Sequence, residues 1–402
     1  MVTGLLDDTI VLEVGESLSA SYCCKLLVDA GARVIKVEAP GSGDILRRLG
    51  PFPQDIPHPD RSGLFTYLNA GKQGITLDIQ KSTGRTILHK LASTAHAVVL
   101  GFPGRLDEGL LSLFKSLEAE HPNLVLTSIS PFGLSGPYSG FAAYDINIAA
   151  AAGVSVGIGD ADREPLGFPI PLAGYHVGLC AASATVTALL VQDEAGFGQS
   201  IDLAEAETLG SIYTGPEALM YIFQWRWTQR TGRRSLDFPY PNCILPCKDG
   251  FVFVGAMEGR QWRTLLHLMG DPAWAKDPRF ADRTAINNLY ADEADAHMVE
   301  WLQNYTKADL LNMALANHLP TAPVYTIGEV ADVPGLASFF VDATISDGPT
   351  IRCPGIPYEL SGERPPSPRV APSLGEHNAL VYKETLGYTN EEIVGLHQCG
   401  VI

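Results

Sequence analysis

Apolar runs and helical periods alternate over roughly the first 130 residues. Residues 9–14 form a β-branched apolar run, residues 17–30 place apolar side chains at helical spacing, and residues 33–37 make a second run closed by Pro40. This predicts one βαβ unit. The pattern recurs with a strand over 74–79, a helix over 82–94, a strand over 97–100 and, after another helical stretch, a strand over 125–129. Apolar strands separated by helices predict a parallel sheet covered on both faces, an α/β architecture. The turn between Glu13 and Ser19 holds a single glycine rather than a three-glycine fingerprint, so a nicotinamide dinucleotide is not expected.

Between Ala142 and Leu190 the chain turns to small apolar residues, with alanine runs at 149–152 and 181–184 on two helix-like segments separated by a loop over 157–171. Near Gly232 the helical pattern breaks at Arg233, Arg234 and the stretch 239–246, and residues 250–256 read as a strand. Helices are expected over 260–269, 287–304 and 307–317, which makes a small α/β domain. Residues 361–372 are Pro-rich and predict an extended arm, followed by a short terminal helix over 390–396.

The composition excludes several classes. The chain has 402 residues, 46% hydrophobic and 18% charged, which argues against disorder and fits one large domain plus a smaller one. Twenty-eight Lys and Arg against 45 Asp and Glu leave a net charge of −17, a field that repels nucleic-acid phosphates and anionic lipid. No nucleic-acid partner is expected. The longest apolar candidates, such as residues 146–158, are too short and Gly-rich to span a bilayer, and no basic segment precedes an apolar one at the N-terminus, so neither a membrane span nor a secretory signal is expected. Seven cysteines, an odd and sparse count, suit a reducing compartment, and the cytoplasm is the expected location. Cys243 and Cys247 lack a second pair at zinc-site spacing; buried thiols and no metal are expected.

Several ordered blocks carry a resemblance. They are LVDAGARVIKVE at 27–38 with Gly43, Asp44 and Arg47; Leu68, Asn69, Lys72, Leu77 and Asp78; Gly133 with Gly136, Pro137 and Tyr138; and APSLGEH at 371–377 with Leu386, Gly387 and Tyr388. In this order they resemble the family III coenzyme A transferases, which include formyl-CoA and carnitine CoA-transferases and the α-methylacyl-CoA racemases. The resemblance implies a Rossmann-like large domain over 1–225, a smaller domain over 226–328 and a return to the large domain over 329–402. It also implies two chains threaded together as an interlocked dimer. CoA or an acyl-CoA is the implied substrate, with a carboxylic acid as acceptor. Its phosphates and adenine need cations and an apolar slot, and Lys36, Arg47, Asn69, Lys72, Phe102 and Arg105 fall at the family's CoA-contacting segments. The family's acidic-Asn-Phe-Arg-Pro-Gly loop is LGFPGR here, so Phe102 matches and the arginine is displaced. Each cation, taken singly, also fits an ordinary surface role.

The resemblance breaks at the nucleophile. In the transferases an Asp at the start of a Gly/Ala-rich helix attacks the thioester and carries the acyl group as a mixed anhydride. The matching run here is PLAGYHVGLCAA at 171–182, with Gly174 in the Asp position. The racemases pair that Asp with a His before an Asp-Ile-Asn run; this chain keeps Asp145, Ile146 and Asn147 but has Tyr144 before them. Tyr144 can donate a hydrogen bond to a thioester oxygen, His176 lies two residues past the lost Asp, and Glu258 in GAMEGR matches a racemase carboxylate. His176 fits a helix histidine equally well, while Asp160 and Asp162 could substitute only if their loop folds inward.

Three functions follow. The first is a CoA-transferase subunit without its own nucleophile, supporting an Asp-bearing paralogue in a heterodimer. The second is a stand-alone acyl-CoA enzyme, assembled as a homodimer and acting as a racemase, isomerase, lyase or hydrolase. The third is a protein that binds acyl-CoA without turnover. Trp225, Trp227, Phe238 and Tyr240 could line an acyl pocket or pack as core aromatics.

Overall fold

Largely apolar runs become strands buried on both faces: β1 (Ile10–Gly15), β2 (Arg33–Glu38), β4 (Ala97–Gly101) and β5 (Val125–Ser130), joined by β3 (Gln73–Thr76) and the edge strand β6 (Ser200–Ala204). The computed structural model describes residues 4–102, 108–213, 215–225, 230–234, 238–345, 348–361 and 370–402. Arg105, Trp227 and most of the Pro-rich arm lie outside the described residues. All six strands run parallel in the order β3-β2-β1-β4-β5-β6. The α/β expectation holds. β6 has no counterpart in the sequence reading, because its alternating partial exposure and five-residue length give no strong apolar run.

Side-chain alternation sends Val11, Val34 and Val99 to one face, where α1 (Leu18–Asp29) and α6 (Leu172–Ala195) cover them. Leu12, Ile35, Val98 and Leu100 go to the other, under α3 (Ser82–Ala92) and α4 (Glu108–Glu120). Between these lie α2 (Gly63–Asn69) and α5 (Asp145–Ala151). Ser17 starts α1 by accepting the Ala20 N–H, and Gly196 ends α6 in the left-handed conformation that glycine tolerates best.

The sequence reading found no span-length apolar segment, yet α6 is long and apolar enough by length and composition. Its apolar character has a packing reason on one face. A Cβ at Gly178 would lie 2.7 Å from the Ser19 carbonyl oxygen, so glycine is what lets α6 approach α1 so closely.

The C-terminal blocks return to β3. His377 donates its N–H to the Gly74 carbonyl, Asn378 accepts from Thr76, and the Tyr382 hydroxyl donates to the Thr76 carbonyl at 2.6 Å. Beyond β3, Asp78 donates to Val401, whose side chain is buried with that of Ile402 in the α3/α4 core. The tail thus covers an otherwise open edge.

The chain divides into two compact units, one of residues 1–155, 167–226 and 338–402, the other of 156–166 and 227–337. The second contains an antiparallel sheet, β7 (Asn242–Cys247), β8 (Gly250–Gly255) and β9 (Thr321–Val324), in that order. Helices Gly259–Leu268, Ala291–Leu302 and Lys307–Asn317 accompany it. The helix expected over 287–304 is interrupted: Ile286–Tyr290 forms a π-turn before the α-helix begins. Cys243 and Cys247 are buried free thiols, and burial followed by the nearby Asp295 charge pushes Cys243 up to about 12.

Candidate functional site

The strand order reverses direction at β1, whose two neighbours, β2 and β4, lead away to opposite sides. In open α/β sheets this switch point opens a crevice at the carboxyl ends of the strands. A cavity of about 250 Å³ lies beside it, over the carboxyl ends of β1, β2 and β3, lined by Gly15, Glu16, Glu38, Asp44, Leu77 and Asp78 among others. The β1–α1 turn at its edge is tightly built: Gly15 has φ +91°, and a Cβ on Gly101 would stand 2.6 Å from Ser17 Cβ.

The cations expected to contact CoA lie beneath this crevice, not open to it. Lys36 is fully buried and bonds Glu13 at 2.6 Å and Asp44 at 2.6 Å; Lys72 bonds Glu13 at 2.6 Å and Asn69 at 2.9 Å. Arg47 is also buried, holding Glu38 through two nitrogens and Asp60 at 2.8 Å while stacking 3.8 Å from the Phe65 ring centroid. Asn69 donates to the Phe65 carbonyl, and Phe102 is packed in the core. Each buried charge is therefore met by an opposite one, the condition under which charges survive burial. Burial alone would raise the Glu13 carboxyl, but Lys36 and Lys72 hold it down at about 2. Arg48, which sequence reasoning passed over, is exposed beside Glu16 and donates to the Ser42 carbonyl at 3.1 Å.

A second cluster surrounds the first turn of α6. The Gly174 N–H points at Asp145 Oδ1 at 3.4 Å. Burial raises the Asp145 carboxyl, opposed by the N–H groups of Gly174 and Ala173. Glu205, at the start of α7 (Glu205–Tyr213), accepts the Ser19 hydroxyl; burial raises it too, against the pull of Ser19 and with help from the Asp145 charge. Two neighbouring carboxyls with raised affinity for protons are the kind of grouping found where acid–base or nucleophilic work is done. Sequence reasoning quoted Asp145 only as a landmark and missed Glu205, which stands 186 residues from its partner Ser19.

Tyr144, preceding α5, is exposed, and its backbone N–H is held by Asn147. His176 lies one turn into α6, its Nδ1 3.2 Å from the Leu172 carbonyl. Gly174 is buried, and a Cβ there would meet Leu18 Cδ2 at 2.5 Å. Glu258 belongs to the second unit, where it precedes helix Gly259–Leu268, its N–H accepted by Gln261. Asp160 and Asp162 are in that unit as well; Arg230 grips the loop through the Asp160 and Arg163 carbonyls.

A doubly wound parallel sheet with a crevice at the carboxyl ends of its strands is the architecture of the first unit. CoA-transferase family III matches residues 6–378, and the chain belongs to that family. It is 31% identical to the succinyl-CoA–D-citramalate CoA-transferase of Chloroflexus aurantiacus, covering 99% of this chain and 98% of that one. It is 30% identical to the succinyl-CoA:(R)-benzylsuccinate CoA-transferase subunit BbsE of Thauera aromatica, covering 95% and 94%. A CAIB/BAIF family protein from Brucella suis superposes with a TM-score of 0.85 at 27% identity, over 95% of this chain and 100% of that structure.

Proposed function

We propose that this chain binds an acyl-CoA at the crevice over the carboxyl ends of β1, β2 and β3 and acts in CoA transfer between carboxylic acids as the subunit that lacks its own nucleophile. The carrying observation is the surroundings of residue 174. The side-chain space there is occupied by Leu18, and the backbone N–H is turned to Asp145, so the position has been rebuilt as a helix-packing glycine. Anhydride formation depends on a carboxylate held at attacking distance from the thioester carbon, and Gly174 offers none. An active paralogue would supply that group, which is the arrangement the family resemblance and the likeness to a named transferase subunit favour. The buried cations Lys36, Lys72 and Arg47 and the amide of Asn69 hold the crevice floor rigid, while exposed Arg48 is placed to meet phosphate.

Assembly with a second chain of this fold gets support from α6. Leu179, Val186 and Leu190 form an exposed apolar stripe on the side away from α1, and Leu219, Ile222 and Phe223 of α8 (Gly215–Gln224) are exposed too.

The Asp145–Glu205 neighbourhood favours a second reading, a stand-alone enzyme with a relocated carboxylate. One experiment separates them. Purified chain is incubated with succinyl-CoA and then hydroxylamine, alone and after co-expression with an Asp-bearing family member. The first reading expects a hydroxamate only on the partner; an adduct mapped to Asp145 or Glu205 of this chain alone would establish the second.

A further inference from the structure

We propose that His89, Glu120 and His121 form a binding site for a divalent transition metal of the zinc class, clipping α3 to the C-terminal end of α4. His89 Nδ1 stands 3.3 Å from His121 Nε2 and 3.2 Å from Glu120 Oε2, and the three candidate ligand atoms all lie within 4.8 Å of one another. A tetrahedral ion at ordinary Zn–N and Zn–O bond lengths needs ligand atoms about 3.3 Å apart, and two imidazoles on one such ion set their ring centroids about 5 Å apart. The observed centroids are 5.5 Å apart.

The surroundings of His89 suit ligation. Ser116 Oγ lies 2.9 Å from the Leu113 carbonyl, to which it donates, and 3.1 Å from His89 Nε2. An Nε2–H donated to Ser116 leaves Nδ1, on the side of His121 and Glu120, as the ligand atom. A hydrogen-bond partner on the far nitrogen that orients a metal-binding histidine is a recurring part of such sites. The two imidazoles and one carboxylate select zinc-class metals over calcium or magnesium, and leave a fourth position for water. The partial burial of both rings and the exposure of Glu120 give an ion a path in.

The site lies apart from the crevice and from α6, so its test is independent of the transfer reaction. The full chain is stripped with chelator and titrated with Zn²⁺ by calorimetry, and with Co²⁺ by visible absorption, which reports tetrahedral coordination. One equivalent is expected, with a raised Tm at saturating Zn²⁺. His121→Ala and Glu120→Gln, both near the surface, should weaken binding at least about tenfold, and Ser116→Ala by about tenfold through the lost tautomer control. Absence of binding by the wild-type chain would overturn the proposal. So would binding that survives His89→Ala and His121→Ala unchanged, since the ion would then belong to other residues.

Discussion

Glu13 sits at 0% exposure in the middle of a sheet, directly opposite Lys36 in the β1–β2 register, with Lys72 reaching the other oxygen. Removing its charge leaves Lys72 with only the neutral oxygens of Ser21 and Asn69 and Lys36 paired with Asp44 alone, so Glu13→Gln should cost about 3–5 kcal/mol in denaturant unfolding. The sign with pH follows from its lowered carboxyl. The folded state binds the proton less readily than the unfolded chain, so the contribution is complete above the ordinary glutamate value of about 4.5 and is lost as pH falls toward about 2. Stability measured across that window should fall less steeply in Glu13→Gln than in wild type; equal slopes would place the acid sensitivity elsewhere. Gly174 carries a second residue-scale prediction. Gly174→Asp drives Cβ into Leu18, an overpacking that costs about 1–3 kcal/mol. Gly174→Asp combined with Leu18→Ala should recover part of that loss and trap more hydroxamate than Gly174→Asp alone. If the single variant traps as well as the double, Leu18 is not the obstacle.

At the scale of elements, α6 is apolar beyond the face it buries. One side packs on α1 through Gly174 and Gly178, and the other presents Leu179, Val186 and Leu190. Replacing Leu179 and Leu190 together by Glu should leave the helix content unchanged and convert the assembly to monomer in light scattering. A wild-type chain already monomeric at micromolar concentration would defeat the proposed pairing. The β1–α1 turn makes a different demand. Gly101→Val adds a side chain where even a Cβ meets Ser17 and Ala20 within 2.8 Å, so it should lower Tm and, if the crevice is the CoA site, weaken CoA binding more than a distant variant of equal Tm. The sequence made β1, β2, β4 and β5 legible because each is a short, largely apolar run rich in β-branched residues. β6 was not, since an edge strand half open to solvent shows no such run.

For the whole molecule, binding is expected to appear as a rise in Tm when CoA is added to the chain with its partner, by mass action on the folded state. Arg48→Glu should reduce that rise without changing the Tm of the free protein, because Arg48 is exposed while Lys36, Lys72 and Arg47 are already paired. A ligand-induced shift that Arg48→Glu leaves intact would remove Arg48 from the phosphate contacts.

By itself the sequence determined the α/β class, the alternation that fills both faces of the sheet, the family blocks and the glycine at position 174. All of these are local in the chain, written as periods, motifs or single residue types. The tertiary structure alone decided how those residues are used. Lys36 looks like any surface cation until register sets it against Glu13, and Asp145 becomes the neighbour of Gly174 only when α5 and α6 meet. Glu205 and Ser19, or His89 and His121, are likewise brought together by packing between elements. No local period in a chain encodes such meetings, because they depend on which faces are buried against each other and on charge that has nowhere to go but a partner.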